Sequence, residues 1–258
     1  MALTEIHFKS ETLNLTLGMN LILPEHPQAW DSPPAVLYLL HGLSGNHTSW
    51  IRKTSIERYA KDYPLVIVMP EVHNSFYCDM AHGSNYWKFI AEEVPSLVKK
   101  WFHISNDWKK TFVAGLSMGG YGAMKLALSY PQNYAAAASL SGALDIANHA
   151  NDDFAQSQLR TFEAIFGEMN TLPNSENDLI QKFQSFGKIP ETKFYTCVGT
   201  EDYLYQDTLT FNQHAKAKGF DLTSEEAPGA HEWSFWDTYI QRVLEWLPIQ
   251  PLESEPTQ

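Results

Sequence analysis

A doubly wound α/β fold, its sheet mainly parallel with an antiparallel N-terminal edge, is expected from three features of the sequence. Short apolar runs recur after Pro33-Pro34, at residues 36–40, 65–69, 111–114, 135–140 and 193–198, and continuous runs of this length mark strands buried on both faces. Segments with helical spacing lie around and between them, at about 50–62, 85–102, 118–129, 205–218 and 233–247. Strands that alternate with helices imply βα crossovers and a parallel sheet. Ahead of the first run, Leu13, Leu15, Leu17, Met19, Leu21 and Leu23 alternate with residues such as Asn14, Thr16, Gly18 and Asn20. That period of two is the signature of a half-buried antiparallel strand.

In chain order, residues 3–9 are the expected hairpin partner of that alternating strand. Within 85–102, Phe89, Ile90, Val94, Leu97, Val98 and Trp101 recur at three- and four-residue intervals, which gives the helix one apolar face. The stretch 146–190 breaks the βα rhythm, with polar clusters at 148–153 and 170–178 around a helical segment at 154–166. It reads as an insertion over the active-site edge of a single domain spanning 1–247. A further strand is expected at 220–226, before the last helix. The tail 248–258, with Pro248, Pro251 and Pro256 among Glu253, Ser254 and Glu255, is Pro-rich and acidic and expected to be mobile. No internal repeat is present.

Composition narrows the function. The 258 residues are 44% hydrophobic and 13% aromatic, enough for a large core. A formal net charge of −12 opposes nucleic acid and anionic membrane surfaces, which bind through Lys/Arg neutralisation of phosphates. Two cysteines, Cys78 and Cys197, are too few for a disulfide framework or a Cys-rich zinc site. The first ten residues carry acidic and polar side chains where an export signal needs an apolar core, and no apolar stretch approaches the roughly 20 residues needed to span a bilayer. A cytoplasmic protein, with homo-oligomerisation open, is the simplest expectation.

The chemistry is concentrated in four segments. Thr111-Phe-Val-Ala-Gly115-Leu116-Ser117-Met118-Gly119-Gly120 places G-x-S-x-G after an apolar strand and before a helix. So tight a turn needs small residues at Gly115 and Gly119, and it lifts the serine hydroxyl above the strand end. The N–H of Met118 then sits at a helix N-terminus, aimed at developing negative charge. A nucleophilic serine needs a base, and the base an orienting acid. Asp202 follows the strand at 193–198 and is the favoured acid, with Glu201 beside it and Asp145 at the end of the preceding strand as alternatives. Among ten histidines, His231 stands in a loop before the final helix and completes the chain order serine, acid, histidine. His41, His47, His73, His82 and His214 are expected to orient loops or face solvent. Lastly, Leu40-His41-Gly42-Leu43-Ser44-Gly45 follows the first buried strand. Leu43 N–H is the expected second oxyanion donor, with Gly42 supplying an unusual backbone conformation. An idle serine on a glycine-rich turn would show the first segment without the other three in order.

These runs, together with Tyr121-Gly-Ala-Met124 and Gly229-Ala-His231-Glu-Trp-Ser-Phe-Trp236, resemble the esterase D / S-formylglutathione hydrolase family, and within it the bacterial tributyrin esterases. The similarity spans residues 4 to 247. It implies an α/β-hydrolase fold and carboxylesterase action on short acyl esters of small molecules. Ser117, Asp202 and His231 would form the triad, Leu43 and Met118 would be the oxyanion donors, and no metal or organic cofactor would be required. S-formylglutathione hydrolases carry Gly-Leu-Thr-Cys where this chain has Gly42-Leu43-Ser44-Gly45, which speaks against a glutathione thioesterase. Related branches include feruloyl and acetylxylan esterases, so sugar esters enter the range, and an acyltransferase of the same fold would use the same triad. Phe76, Tyr77, Trp87 and Trp233, with Tyr86 and Trp236, are expected to wall a shallow slot for acetyl to butyryl groups.

Overall fold

The structure is a computed structural model and describes residues 1–151 and 159–252. Eight strands form one sheet: β1 (Ala2–Lys9), β2 (Thr16–Leu23), β3 (Ala35–Leu40), β4 (Leu65–Pro70), β5 (Thr111–Leu116), β6 (Ala136–Leu140), β7 (Lys193–Gly199) and β8 (Leu222–Ala227). Their spatial order is β1-β2-β4-β3-β5-β6-β7-β8. β1 and β2 form the antiparallel hairpin, with Phe8 opposite Leu17, and β2 joins β4 antiparallel. Every later pairing is parallel.

Alternation along β3 explains why its run is apolar throughout. Val36, Tyr38 and Leu40 enter one core with Val94, Val98 and Met124. Leu37 and Leu39 enter the other with Ile56, Ile240 and Val243. Helices therefore cover both faces, and a polar residue at any of these positions would be buried.

The topology also fixes where a site can form. From β3 the chain steps outward to β4, then crosses back past β3 to β5. The strand order reverses between β3 and β5, and at such a reversal the loops leaving the two strands diverge and open a crevice at their carboxyl ends. Ser117 follows β5 and Gly42 follows β3, so both lie at that crevice.

Four elements differ from the sequence expectation. β2, expected to be half-buried, is buried at every position from Leu17 to Ile22, and the inward Asn20 donates its amide N–H to His47 O at 3.1 Å. The segment 50–62 is two short helices, Ser49–Lys53 and Ile56–Tyr59. Thr54 between them is extended, and the Ser55 N–H donates to the Asp237 carboxylate of the final helix at 3.0 Å. The segment 85–102 starts as Tyr86–Lys88, widens into a π-helical turn at Phe89–Glu93 and resumes as Val94–Trp101. Pro95 has no N–H to donate one turn back, and the widened turn immediately precedes it. Of the expected helix at 154–166, Leu159–Phe166 is helical, while 152–158 lie outside the described residues, as do 253–258 of the tail. Leu252 N–H, at the end of the tail's described part, donates to Asp62 O at 2.6 Å. No helix among the described residues is long and apolar enough to cross a membrane.

Candidate active site

Ser117 joins β5 to the helix Met118–Ser129 with φ 53° and ψ −120°, a conformation costing a non-glycine residue on the order of 1–3 kcal/mol. Its surroundings hold it there. A Cβ on Gly115 would lie 2.4 Å from the Gly119 backbone, and one on Gly119 would lie 2.4 Å from Leu40 O. The turn thus closes only with hydrogen at both positions. Ser117 N–H donates to Leu140 O at 2.9 Å, which ties the turn to the end of β6.

His231 and Asp202 reach Ser117 because two backbones touch. A Cβ on Gly199, the last residue of β7, would lie 2.0 Å from Gly229 O. That close approach brings the loop before the final helix against the loop after β7. His231 Nε2 lies 2.9 Å from Ser117 Oγ, and its Nδ1 lies 2.9 Å and 3.0 Å from the two Asp202 oxygens. A carboxylate can only accept, so Nδ1 carries the proton and Nε2 faces the serine with its lone pair. The Asp202 side chain is fully buried, and its Oδ1 also accepts from Leu204 N–H at 2.8 Å. Trp236 meets the imidazole edge-on at 4.9 Å and donates its indole N–H to Ser141 Oγ, while the exposed Tyr203 ring lies at 4.5 Å.

The other two carboxylates do different things. Glu201 is exposed and accepts from Gly229 N–H at 2.6 Å and from the Thr200 hydroxyl; these bonds hold its carboxyl below the usual range. It therefore braces the histidine loop without touching the ring. Asp145 is pushed up to about 6 by burial and by the nearby Asp207 charge, and it has no hydrogen bond to His231.

The loop after β3 presents its peptide through its carbonyl. His41 Nδ1 lies 2.8 Å from Gly42 O, and Gly45 N–H donates to the same oxygen at 3.0 Å. A carbonyl only accepts, so Nδ1 is the donor. The Gly42–Leu43 peptide is trans, so anchoring its carbonyl on one side sends Leu43 N–H to the other. Neither Leu43 N–H nor Met118 N–H has an acceptor among the described residues, which leaves both available to a substrate oxygen. Gly42 plays a different part from the one expected. Its φ is not positive; instead, a Cβ there would lie 2.6 Å from Leu116 Cδ1 and 3.3 Å from Ser117 Cβ. The left-handed residue of the loop is Ser44, φ 62°, whose N–H donates to Asn74 Oδ1 at 2.8 Å.

Behind this loop lies an acid that sequence reasoning missed. Glu71 is buried; it accepts from His73 N–H at 2.7 Å and lies 3.4 Å from His41 Nε2 and 3.3 Å from His47 Nδ1. Burial raises its pKa, but the contact with His41 and the hydrogen bonds from His73 N–H and His47 outweigh that and bring it to about 2. The one available signal was its place, directly after β4.

A cleft of ≈470 Å³ surrounds Ser117, lined by Leu43, Lys53, Tyr203, His231, Trp233 and Trp236 among others. Trp233 is where it was expected. Phe76, Tyr77 and Trp87 do not line this cleft. Phe76 packs against Tyr121, Phe162 and Phe166. Tyr77 is fully buried, with its hydroxyl donated to His41 O at 2.8 Å. Trp87 stacks on Tyr130 under the Lys125 ammonium. All three satisfy the core first, which large aromatic side chains do readily. Tyr86 instead lines an adjoining cavity of ≈650 Å³, reached past Ser44 and Gly45 and bordered by Asn74, Arg160 and Ala164.

A serine held out on a strained strand-to-helix turn, above a doubly wound sheet with a histidine and an acid from later strands, defines a serine hydrolase of the α/β-hydrolase class. The chain belongs to the Esterase family, whose model matches residues 10–247. It is 34% identical over 263 residues to an acetyl esterase of Caldicellulosiruptor saccharolyticus, covering 96% of this chain and 98% of that protein. Two Staphylococcus aureus structures are each 33% identical and cover 95% of this chain and 98% of theirs. They are the fluorophosphonate-binding serine hydrolase FphF with substrate bound (TM-score 0.86) and the S-formylglutathione hydrolase FrmB (TM-score 0.84). The protein is accordingly a carboxylic ester hydrolase.

Proposed function

We propose that the protein hydrolyses short-chain acyl esters, acetyl to butyryl, of small alcohols or sugars through an acyl-enzyme on Ser117. The observation that carries this reading is the 2.9 Å contact between Ser117 Oγ and His231 Nε2, with the buried Asp202 on the far nitrogen. Ser117 Oγ attacks the ester carbonyl as its proton passes to His231 Nε2. The carbonyl oxygen takes up negative charge between Leu43 N–H and Met118 N–H, and Asp202 stabilises the imidazolium. His231 then protonates the departing alkoxide oxygen. Water, deprotonated by the same nitrogen, releases the carboxylic acid.

A small acyl group is supported by the acetyl esterase relative and by the Trp233–Trp236 pair, edge to face at 5.2 Å, in the cleft wall. The adjoining cavity offers room for a larger alcohol. A glutathione thioesterase is disfavoured at Gly45, where a Cβ would lie 3.0 Å from both Gly42 O and Ser49 Oγ. A cysteine at that position would require Gly42 O and Ser49 Oγ to give by a few tenths of an ångström.

Stoichiometric labelling by a fluorophosphonate, abolished in Ser117→Ala, tests the nucleophile. A panel of acetyl, butyryl and octanoyl esters beside S-formylglutathione tests the substrate class. Labelling that survives the substitution, or turnover confined to the thioester, would overturn the proposal.

A further inference from the structure

A third cavity lies at the opposite end of the sheet. It encloses ≈300 Å³ and is lined by Tyr38, Lys99, Asn106, Trp108, Gln132 and Tyr134, with Thr111 among the rest. Thr111 begins β5, whereas Ser117 follows its last residue, so the length of a central strand separates this cavity from the nucleophile. Tyr38 is 2% exposed, and its hydroxyl has no hydrogen-bond partner among the described residues. A buried hydroxyl without a partner costs on the order of 1–3 kcal/mol, and such groups call for an explanation.

The lining is rich in donors. Burial, with each phenol's neighbour adding to it, keeps Tyr38 and Tyr134 protonated well above the ordinary tyrosine range. Lys99 adds an ammonium without a carboxylate partner among the described residues, and Asn106 and Gln132 add amides. No Asp or Glu lines the cavity, although the chain as a whole carries a net charge of −12. A pocket with a cation and two phenol donors and no acid favours an anion.

What continues from it is apolar. Trp108 and Gln132 also line a second depression of ≈440 Å³ formed by Pro131, Phe186, Ile189 and Pro190, with exposed Lys188 and Glu191 completing it. The two compartments share a wall, so one ligand can lie across both with a charged head at Tyr38 and a hydrocarbon tail along Trp108 and Ile189.

We propose that this bipartite cavity is a non-catalytic binding site for an amphipathic monocarboxylate of the fatty-acid class, its carboxylate on Tyr38 and Lys99 and its chain in the Pro131–Phe186–Ile189 depression. The site lies the length of β5 from Ser117, and its apolar extension suits a longer tail than those of the acetyl to butyryl products proposed above. Its existence does not depend on which ester the enzyme prefers.

The test uses full-length protein with Ser117 blocked by a fluorophosphonate, titrated calorimetrically with octanoate, octanol and acetate. Octanoate is expected to bind one to one. Octanol lacks the charge and acetate lacks the tail, and each should bind at least about tenfold more weakly. Tyr38→Phe keeps the ring and removes only the hydroxyl; it should weaken octanoate at least about fivefold, equivalent to about 1 kcal/mol. Lys99→Gln should do the same, while unblocked Tyr38→Phe retains wild-type turnover of p-nitrophenyl acetate. Absence of octanoate binding to the blocked protein, octanol binding as tightly as octanoate, or unchanged affinity in both variants would each overturn the site.

Discussion

At Ser117 the chain holds a left-handed residue without glycine, and the nearby groups explain both its reach and its reactivity. Ser117→Ala should keep the fold, since alanine tolerates that conformation about as well as serine, and should lower kcat by several orders of magnitude. The residue of activity would come from binding and the oxyanion donors alone. Circular dichroism beside single-turnover kinetics checks both halves. Asp202→Asn should cost about 10³- to 10⁴-fold in kcat by favouring the wrong imidazole tautomer. Glu201→Gln should stay within about tenfold, because an amide oxygen can still accept from Gly229 N–H. Asp145→Asn gives a separate, signed result. Its carboxyl titrates at about 6 in the fold against an ordinary 3.8, so ionisation weakens the folded state as pH rises through that window, and the penalty is complete at pH 8. The asparagine variant should therefore melt higher than wild type at pH 8 and equally at pH 3.5, with near-normal activity. Loss of activity comparable to Asp202→Asn would make Asp145 the functional acid.

Among elements, the loops after β3 and β4 act as one device. The peptide that carries Leu43 N–H is held by its carbonyl, and that carbonyl is held by His41, which in turn meets Glu71. His41→Ala should lower kcat by about 100- to 1,000-fold with little change in KM, the range for loss of one oxyanion donor; a rise in KM alone would show that His41 serves substrate binding. Glu71→Gln should lower stability at pH 7 by about 1–3 kcal/mol, the scale for hydrogen bonds to a charged group. Because its folded pKa of about 2 lies below the ordinary 4.5, that contribution is fully present above pH 4.5 and fades as pH falls toward 2. Urea midpoints of the two proteins should thus converge on acidification. Sequence reasoning picked out Ser117, Asp202 and His231, which the fold brings within hydrogen-bond distance of one another, because G-x-S-x-G and the order serine, acid, histidine are local signals. It could not find Glu71, whose importance arises only where two loops from different strands meet. For the same reason β3 to β7 were legible, each a largely apolar run buried on both faces. The break at Thr54 was not, since Asp237, far along the chain, stabilises it.

Over the whole molecule, the proposed preference for short acyl groups rests on the walls of the cleft at the β3–β5 crevice. Of the aromatic residues expected to wall the acyl slot, Phe76 and Tyr77 are core and Trp87 packs half-buried on Tyr130, because a large ring gains more from such burial than from a solvent-facing cleft. The wall that remains is Trp233 against Trp236, and Trp236 is fixed by Ser141 and by the imidazole it abuts. A wall so pinned does not retreat for a longer chain. Each methylene that fits contributes roughly 0.8 kcal/mol of burial, and the first that meets the indoles gains nothing. On p-nitrophenyl esters kcat/KM should therefore peak at about two to four acyl carbons and fall at least about tenfold by eight, a loss of only about 1.4 kcal/mol. Trp233→Ala, which removes the half-buried member of the pair and leaves Trp236 on its serine, should move the peak toward longer chains and leave acetate turnover within about tenfold. A wild-type maximum at octanoate, unmoved by Trp233→Ala, would put the acyl chain in the cavity bordered by Asn74, Tyr86 and Ala164 instead.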